Sequence, residues 1–184
     1  MGISFYFPPK TPVNEQDRID AIRTSRLMDP RLGNAIGMIV RSAAALAKAP
    51  AAAATIIVDD CQIVLGGFRF EQTPSRRSTS ICGHTILEAP APMCVPDLAE
   101  DPRFVENPYV IDPPHVRFYF GTPLLSPTGH AMGALCVFDV VPRARPSPPI
   151  ATALQDMAAH IVALPDMRVF QSLPSRSPHS DTIV

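Results

Sequence analysis

Cys82, Gly83 and His84 bring a thiol and an imidazole together at the predicted start of a short helix, Cys82 to Ala89. Backbone N–H groups at a helix start favour an anion, so Cys82 is the side chain placed for nucleophilic or redox chemistry. Cys94 and Cys136 are its candidate partners for a disulfide step. Against this stands the commoner fate of a free cysteine, that Cys61, Cys82 and Cys136 are small buried hydrophobes, and this reading carries more weight. A second constellation lies on the predicted strand from Val116 to Phe120. Alternation places Val116, Phe118 and Phe120 on one face and Arg117 and Tyr119 on the other. The aromatic face belongs in a core. A guanidinium on the covered opposite face needs an acceptor, since a buried unpaired charge is costly. Asp97, Asp101 or Asp112 can supply one as a structural ion pair, which is the favoured reading. Alternatively Arg117 and Tyr119 line a cavity and hold an anionic or carbonyl ligand.

Other chemistries find no footing. The five histidines show no ligand spacing with cysteines or acids, which argues against a metal site. Gly66-Gly67 is an isolated pair rather than a phosphate loop. Sixteen basic against seventeen acidic residues give a net charge of −1 with no basic stripe, so nucleic acid is not an expected partner. A hydrophobic fraction of 46% supports a real core. The most apolar stretch, Ala43 to Val58, holds Lys48 and Pro50 and falls short of the roughly 20 residues a spanning helix needs. No signal-peptide pattern opens the chain and no C-x-x-C pair occurs, so the expectation is a cytoplasmic protein with free thiols and no membrane contact.

The elements that must position these residues follow from periodicity. Asn14 is a predicted cap for a helix from Glu15 to about Leu27. Leu32, Ile36, Ile39, Ala43 and Leu46 form one apolar stripe, ended by Pro50. Ala54–Val58 and Gln62–Leu65 flank Asp59-Asp60 as a hairpin, and Gly66 to Arg77 reads as a polar loop. Met93–Val95 is a short strand, and Leu98 to Glu106 can form a helical turn or two. A β-turn at Ser126–Gly129 joins the strand ending at Leu125 to one from Met132 to Asp139. Ile150, Leu154, Met157, Ile161 and Leu164 mark a last helix, closed by Pro165. The expected organisation is an extended arm over 1–12, a domain over 13–165 and a disordered Ser/Pro-rich tail over 166–184. Two amphipathic helices bracketing an antiparallel sheet imply an α+β arrangement, with Pro-rich connections over the second sheet face and a cavity beneath them.

Local phrases carry a resemblance. They are Ser80–Ile86, Val95-Pro96-Asp97, Asp101–Phe104 with Asn107-Pro108, Val116–Leu124, and Gly129 with Gly133–Asp139. In this order and spacing, together with Asn14-Glu15, Arg18, Leu27 and Asp29, the chain resembles a GAF domain, a small-molecule-sensing module. It looks closest to the branch carried by histidine kinases and cyclic-dinucleotide enzymes. The resemblance spans roughly residues 14–164. It implies a GAF/PAS-like antiparallel sheet of five or six strands, with the N- and C-terminal helices on one face and loops and short helices on the other.

The function it implies is a sensory or regulatory domain in signal transduction. An unidentified small molecule would act through the packing of the terminal helices, with homodimerisation through those helices and a signalling-protein partner. In that reading Arg117 and Tyr119 anchor the ligand, Asp97 orients Arg117, and Cys82 with His84 forms the opposite wall. No cofactor is identified. Signalling relatives carry an output domain after the last helix, and the residues after Pro165 leave no room for one. The expectation is therefore action through a partner, a stand-alone version or a piece of a longer protein. Covalent tetrapyrrole attachment would use a Cys beside a His, but Gly83 intervenes and the rest of that motif is absent. Cyclic-nucleotide members carry an Asn-Lys-x-x-Asp run, which does not occur. Stand-alone members reduce free methionine-R-sulfoxide, and Cys82-Gly83 matches the phrase around one of their cysteines. Their essential thiol falls in a segment that here, Asn107 to Arg117, contains no Cys. A structural dimerisation module without ligand is the remaining alternative.

Overall fold

Small and β-branched residues run unbroken from Ala51 to Val58 and form the strand β1. Asp59-Asp60 turns the chain back into β2, Cys61–Phe68. The computed structural model describes residues 6–70 and 73–171, with the backbone alone over 168–171. The remaining strands are β3, Ser75–Arg76, β4, Met93–Val95, β5, Phe118–Leu125, and β6, Ala131–Asp139. They form one antiparallel sheet in the order β3-β2-β1-β6-β5-β4. Gly133 marks the tightest approach between β6 and β1: a Cβ there would collide with the Thr55 backbone carbonyl.

Among the described residues the α-helices are α1, Glu15–Ser25, α2, Gly33–Leu46, α3, Ile81–Thr85, α4, Pro108–Ile111, and α5, Pro148–Gln171. The three long ones lie against one sheet face. Ile36, Val40, Leu154 and Ile161 interlock there with Ala52, Ile56, Phe118, Phe120 and Val137. The opposite face is covered by α3, α4 and their connections, and packs Ile81, Leu98, Phe104 and Val110 on Ala53, Tyr119 and Phe138. The α+β arrangement of a central antiparallel sheet with terminal helices on one face is the one expected.

A buried ion cluster fastens α1 to the sheet. Arg18 is almost fully buried and donates to Glu15 Oε2 at 2.9 Å and Oε1 at 2.7 Å, and also to the Ile57 carbonyl. Arg77, in the turn before α3, reaches the same Glu15 Oε1 at 2.6 Å. One carboxylate therefore holds two guanidinium groups from distant parts of the chain. Burial raises the Glu15 pKa, but the hydrogen bonds from Arg18 and Arg77 outweigh it and hold the group at about 2, below its ordinary 4.5.

Several local expectations need correction. The Asn14 side chain does not cap α1: its Nδ2 lies 3.0 Å from His130 Nδ1. The polar loop expected from Gly66 begins later, because β2 continues to Phe68 through its pairing with Ala52–Ala54. Val116 lies before β5 and packs with Tyr119 rather than with Phe118 and Phe120. Pro165 does not close the last helix. Its ring forfeits one backbone bond, and burial of Leu164 and Pro165 offsets that loss, so α5 runs on to Gln171. Residues 6–12 have no regular structure and cross α3, where the Phe7 carbonyl lies 2.9 Å from His84 Nε2. The rest of the expected arm, 1–5, and of the expected tail, 172–184, lies outside the described residues.

Replacing Glu15 by Gln leaves Arg18 and Arg77 facing a neutral partner, and is expected to destabilise the fold by about 2–3 kcal/mol in urea titration. The wild-type cluster stabilises fully above pH 4.5 and its contribution is lost as pH falls from there toward 2. The Glu15→Gln variant should show a correspondingly flatter stability profile across that window.

Candidate functional site

The covering layer is held by side chain–backbone bonds that Ser and Asn make at helix starts. Ser80 caps α3 by accepting from the Gly83 N–H at 2.8 Å, and its hydroxyl donates to Gln62 Oε1 on β2. Asn107 caps α4 through the Tyr109 N–H at 3.0 Å and donates from Nδ2 to the Thr79 carbonyl at 3.0 Å. The loop after α4 returns when the Val116 N–H donates to the Tyr109 carbonyl at 2.8 Å. Two short helices are thereby tied to each other and to the sheet edge.

Beneath them lies a partly open chamber of about 40 Å³, walled by Ala53, Thr55, Gln62, Cys82, Tyr119 and Cys136 among others. It adjoins a wider cleft of about 590 Å³ that reaches Arg69, Pro113, Pro114 and Asp139. Phe70, Tyr109, Val116 and Phe138 line both spaces and form the neck between them. Phe70 and Phe138 meet edge to face at 5.2 Å. The site is an apolar funnel: its wider cleft exposes polar groups, while the polar atoms behind the narrow end are turned onto one another.

Those polar atoms form one chain of contacts. The Tyr119 hydroxyl lies 2.8 Å from Thr85 Oγ1 and donates to Cys82 Sγ at 3.3 Å. Cys82 and Cys136 bring their sulfurs within 3.7 Å, and Cys136 Sγ donates to the Ala53 carbonyl at 3.5 Å. The close pairing with Cys136 lowers the Cys82 pKa against the opposing effect of burial, and the Thr55 and Tyr119 hydroxyls add to it. The same pairing, with burial, raises Cys136. Burial above all, and then the neighbouring sulfurs, raises Tyr119 well above its ordinary value, so the phenol remains a donor.

Of the five residues singled out from sequence, Cys82 and Tyr119 face the chamber. His84 does not share a wall with Cys82. Positions two residues apart on a helix differ by about 200°, so His84 points away from the chamber to the Phe7 carbonyl and the Phe104 ring, 4.7 Å away. Burial pushes its imidazole below the ordinary value. Arg117 also lies off the chamber, its Nη1 donating to the carbonyls of Val110 at 3.0 Å and Val116 at 3.1 Å. Asp97 does not orient it. The Asp97 carboxylate accepts from the Ala99 N–H at 2.9 Å, and the residue borders a separate surface cleft with Glu100 and Arg143. Backbone carbonyls, which no side-chain pattern announces, take the place of the expected acid. The neck residues Phe70 and Tyr109 were missed because they stand in segments without periodicity. Cys136 was legible: alternation along β6 puts it with Ala134 and Phe138 on the chamber face. Among the described residues no cluster of three or more His, Cys, Asp or Glu is placed to hold a metal.

No family model matches the chain. A cyclic di-GMP phosphodiesterase of Pseudomonas aeruginosa is 39% identical over 103 residues, which cover 56% of this chain and 16% of that protein. The chain thus matches only a small part of that relative. The GAF domain of a phosphoenolpyruvate-protein phosphotransferase from Coxiella burnetii superimposes with a TM-score of 0.61 at 14% identity, over 86% of this chain and 98% of that one. A type II free methionine-R-sulfoxide reductase from Thermoplasma acidophilum gives 0.58 at 11% identity, over 79% and 94%. These likenesses establish the fold: the chain has the fold of the GAF domains. None of its described helices is long and apolar enough to cross a membrane.

Removing the phenol in Tyr119→Phe deprives the Cys82 sulfur of a donor and leaves Thr85 without its partner. The expected cost is about 1–2 kcal/mol in urea titration. Because the lost bond favours the thiolate, the Cys82 titration followed by thiolate ultraviolet absorbance should move to higher pH, not lower.

Proposed function

We propose that this GAF-fold chain is a sensory module of a cytoplasmic signalling protein, binding a small molecule in the funnel between α3, α4 and the sheet. The observation that carries the reading is the 590 Å³ cleft, a size that suits a small organic ligand, set against a chamber with which it shares four lining residues. The aromatic neck favours a ligand with an apolar or flat body, and the inner end, walled by carbon and sulfur, offers it apolar contact. The relative from Pseudomonas supports a place in cyclic-dinucleotide signalling.

The strand β5 supports a route for the signal. Its Tyr119 lies in the chamber wall, while Phe118 and Phe120 on either side belong to the core beneath α5. A ligand that displaces the Tyr119 side chain changes the backbone on which α5 rests, and so biases the packing or pairing of the terminal helices. Dimerisation through α1, α2 and α5 fits this route. The reading as a sulfoxide reductase is weaker, because the chamber that holds the two thiols is smaller than a free amino acid. A purely structural module would have no use for the funnel.

Native mass spectrometry of the protein purified from its own host should reveal a retained small molecule, and adding that compound back should raise the melting temperature. At a hundredfold excess over Kd the stabilisation is about 2.7 kcal/mol, or roughly 5–10 °C for a chain of this size. Val116→Trp, which fills the neck, should abolish both signals while the protein stays folded. Wild-type and Val116→Trp proteins that behave alike, with no retained compound, would contradict the reading.

A further inference from the structure

We propose that Cys82 and Cys136 form a reactive dithiol that reduces a small hydroperoxide inside the inner chamber and closes to a disulfide. The inference does not rest on the sensory reading. Both sulfurs face the chamber and stand 3.7 Å apart. A disulfide needs about 2.05 Å, so they must approach by roughly 1.6 Å. Cys136 is fixed in mid-strand, paired with Ala53, whereas Cys82 sits in the first turn of the short covering helix α3. Rotation of the Cys82 side chain can therefore supply the movement. Neither other cysteine can substitute. Cys61 is exposed on β2, and Cys94 packs against the core beneath the helices on the other sheet face.

The surroundings distinguish the two thiols. Cys82 receives the Tyr119 hydroxyl, which stabilises a thiolate, and this makes Cys82 the attacking sulfur. Cys136 donates to the Ala53 carbonyl and keeps its proton, which suits the resolving sulfur. The chamber's size selects the oxidant. One water needs roughly 10–15 Å³ of such space, so about 40 Å³ admits hydrogen peroxide and excludes a bulky oxidant such as glutathione disulfide.

The balance is complete. The Cys82 thiolate attacks one peroxide oxygen; an S–O bond forms as the O–O bond breaks. The leaving oxygen takes the proton that Cys82 gave up on ionising, so the products are a sulfenic acid and an alcohol, or water from hydrogen peroxide. Cys136 then displaces hydroxide from the Cys82 sulfur. The S–S bond forms, the S–O bond breaks, and the hydroxide leaves as water with the Cys136 proton. Two electrons pass in all from the two sulfurs to the peroxide.

The test uses the full chain carrying Cys61→Ser and Cys94→Ser, treated with equimolar hydrogen peroxide and then alkylated in denaturant. Intact mass should show both remaining thiols protected and two hydrogens lost, and peptide mapping should join Cys82 to Cys136. Adding Cys136→Ser should stop the reaction at a Cys82 sulfenic acid trapped by dimedone. Tyr119→Phe should slow the first step about tenfold, the worth of one hydrogen bond to a charged group. Glutathione disulfide should leave the pair reduced. If both thiols alkylate fully after peroxide, or if glutathione disulfide oxidises them as fast, the proposal is overturned. Should Cys136→Ser fail to fold, the peptide map of the parent protein decides alone.

Discussion

A phenol buried in an apolar layer must find partners or forfeit its place, and Tyr119 finds them in Thr85 and Cys82. That bond joins β5 to α3, an element too short to hold its own shape. The cover over the chamber depends on it, with the Ser80 and Asn107 caps fastening the two ends. Where long helices lie on the sheet, side chains interlock, and a cleft of about 230 Å³ remains beside Phe118 between the end of α2 and the start of α5. Where short helices and proline-rich turns must do the covering, packing is discontinuous, and a funnel remains.

Position on β5 gives Tyr119 its second role. A strand exposes successive side chains to opposite faces, so one residue in the chamber wall is flanked by two in the core beneath α5. Anything that alters the chamber, whether an occupant or a bond between its sulfurs, acts on a strand that the long helices also contact. Glu15 serves the other end of the sheet in a similar manner, because one carboxylate links α1 to the turn that leads into α3. Terminal helices and chamber cover are thus mechanically joined at two places.

The architecture was legible because it rests on periodicity. The 4-3-4-3 spacing of apolar residues marked α2 and most of α5, and the β-branched run around Asp59-Asp60 marked the central hairpin. Legibility failed where tertiary contacts overrode local preference. Pro165 reads as a stop, yet burial carries α5 past it. Gly66-Gly67 reads as loop, yet pairing with β1 draws both into β2. At the site, strand alternation placed Tyr119 correctly and misled for Arg117, which precedes the first residue of β5 and folds back onto two carbonyls. Pairing His84 with Cys82 overlooked the turn of the helix between them. Cys136 was within reach of the same alternation argument and gains its meaning only from the 3.7 Å that separates it from Cys82.

The central claim is that a lined hollow persists on the sheet face opposite the long helices, with Tyr119, Cys82 and Cys136 at its inner end. Xenon pressurisation of crystals tests this most directly, since the gas fills apolar voids without needing a specific ligand. Xenon density between Tyr119, Cys136 and Phe138 is the predicted result. Side chains collapsed into that space, with the gas bound elsewhere or nowhere, would contradict it.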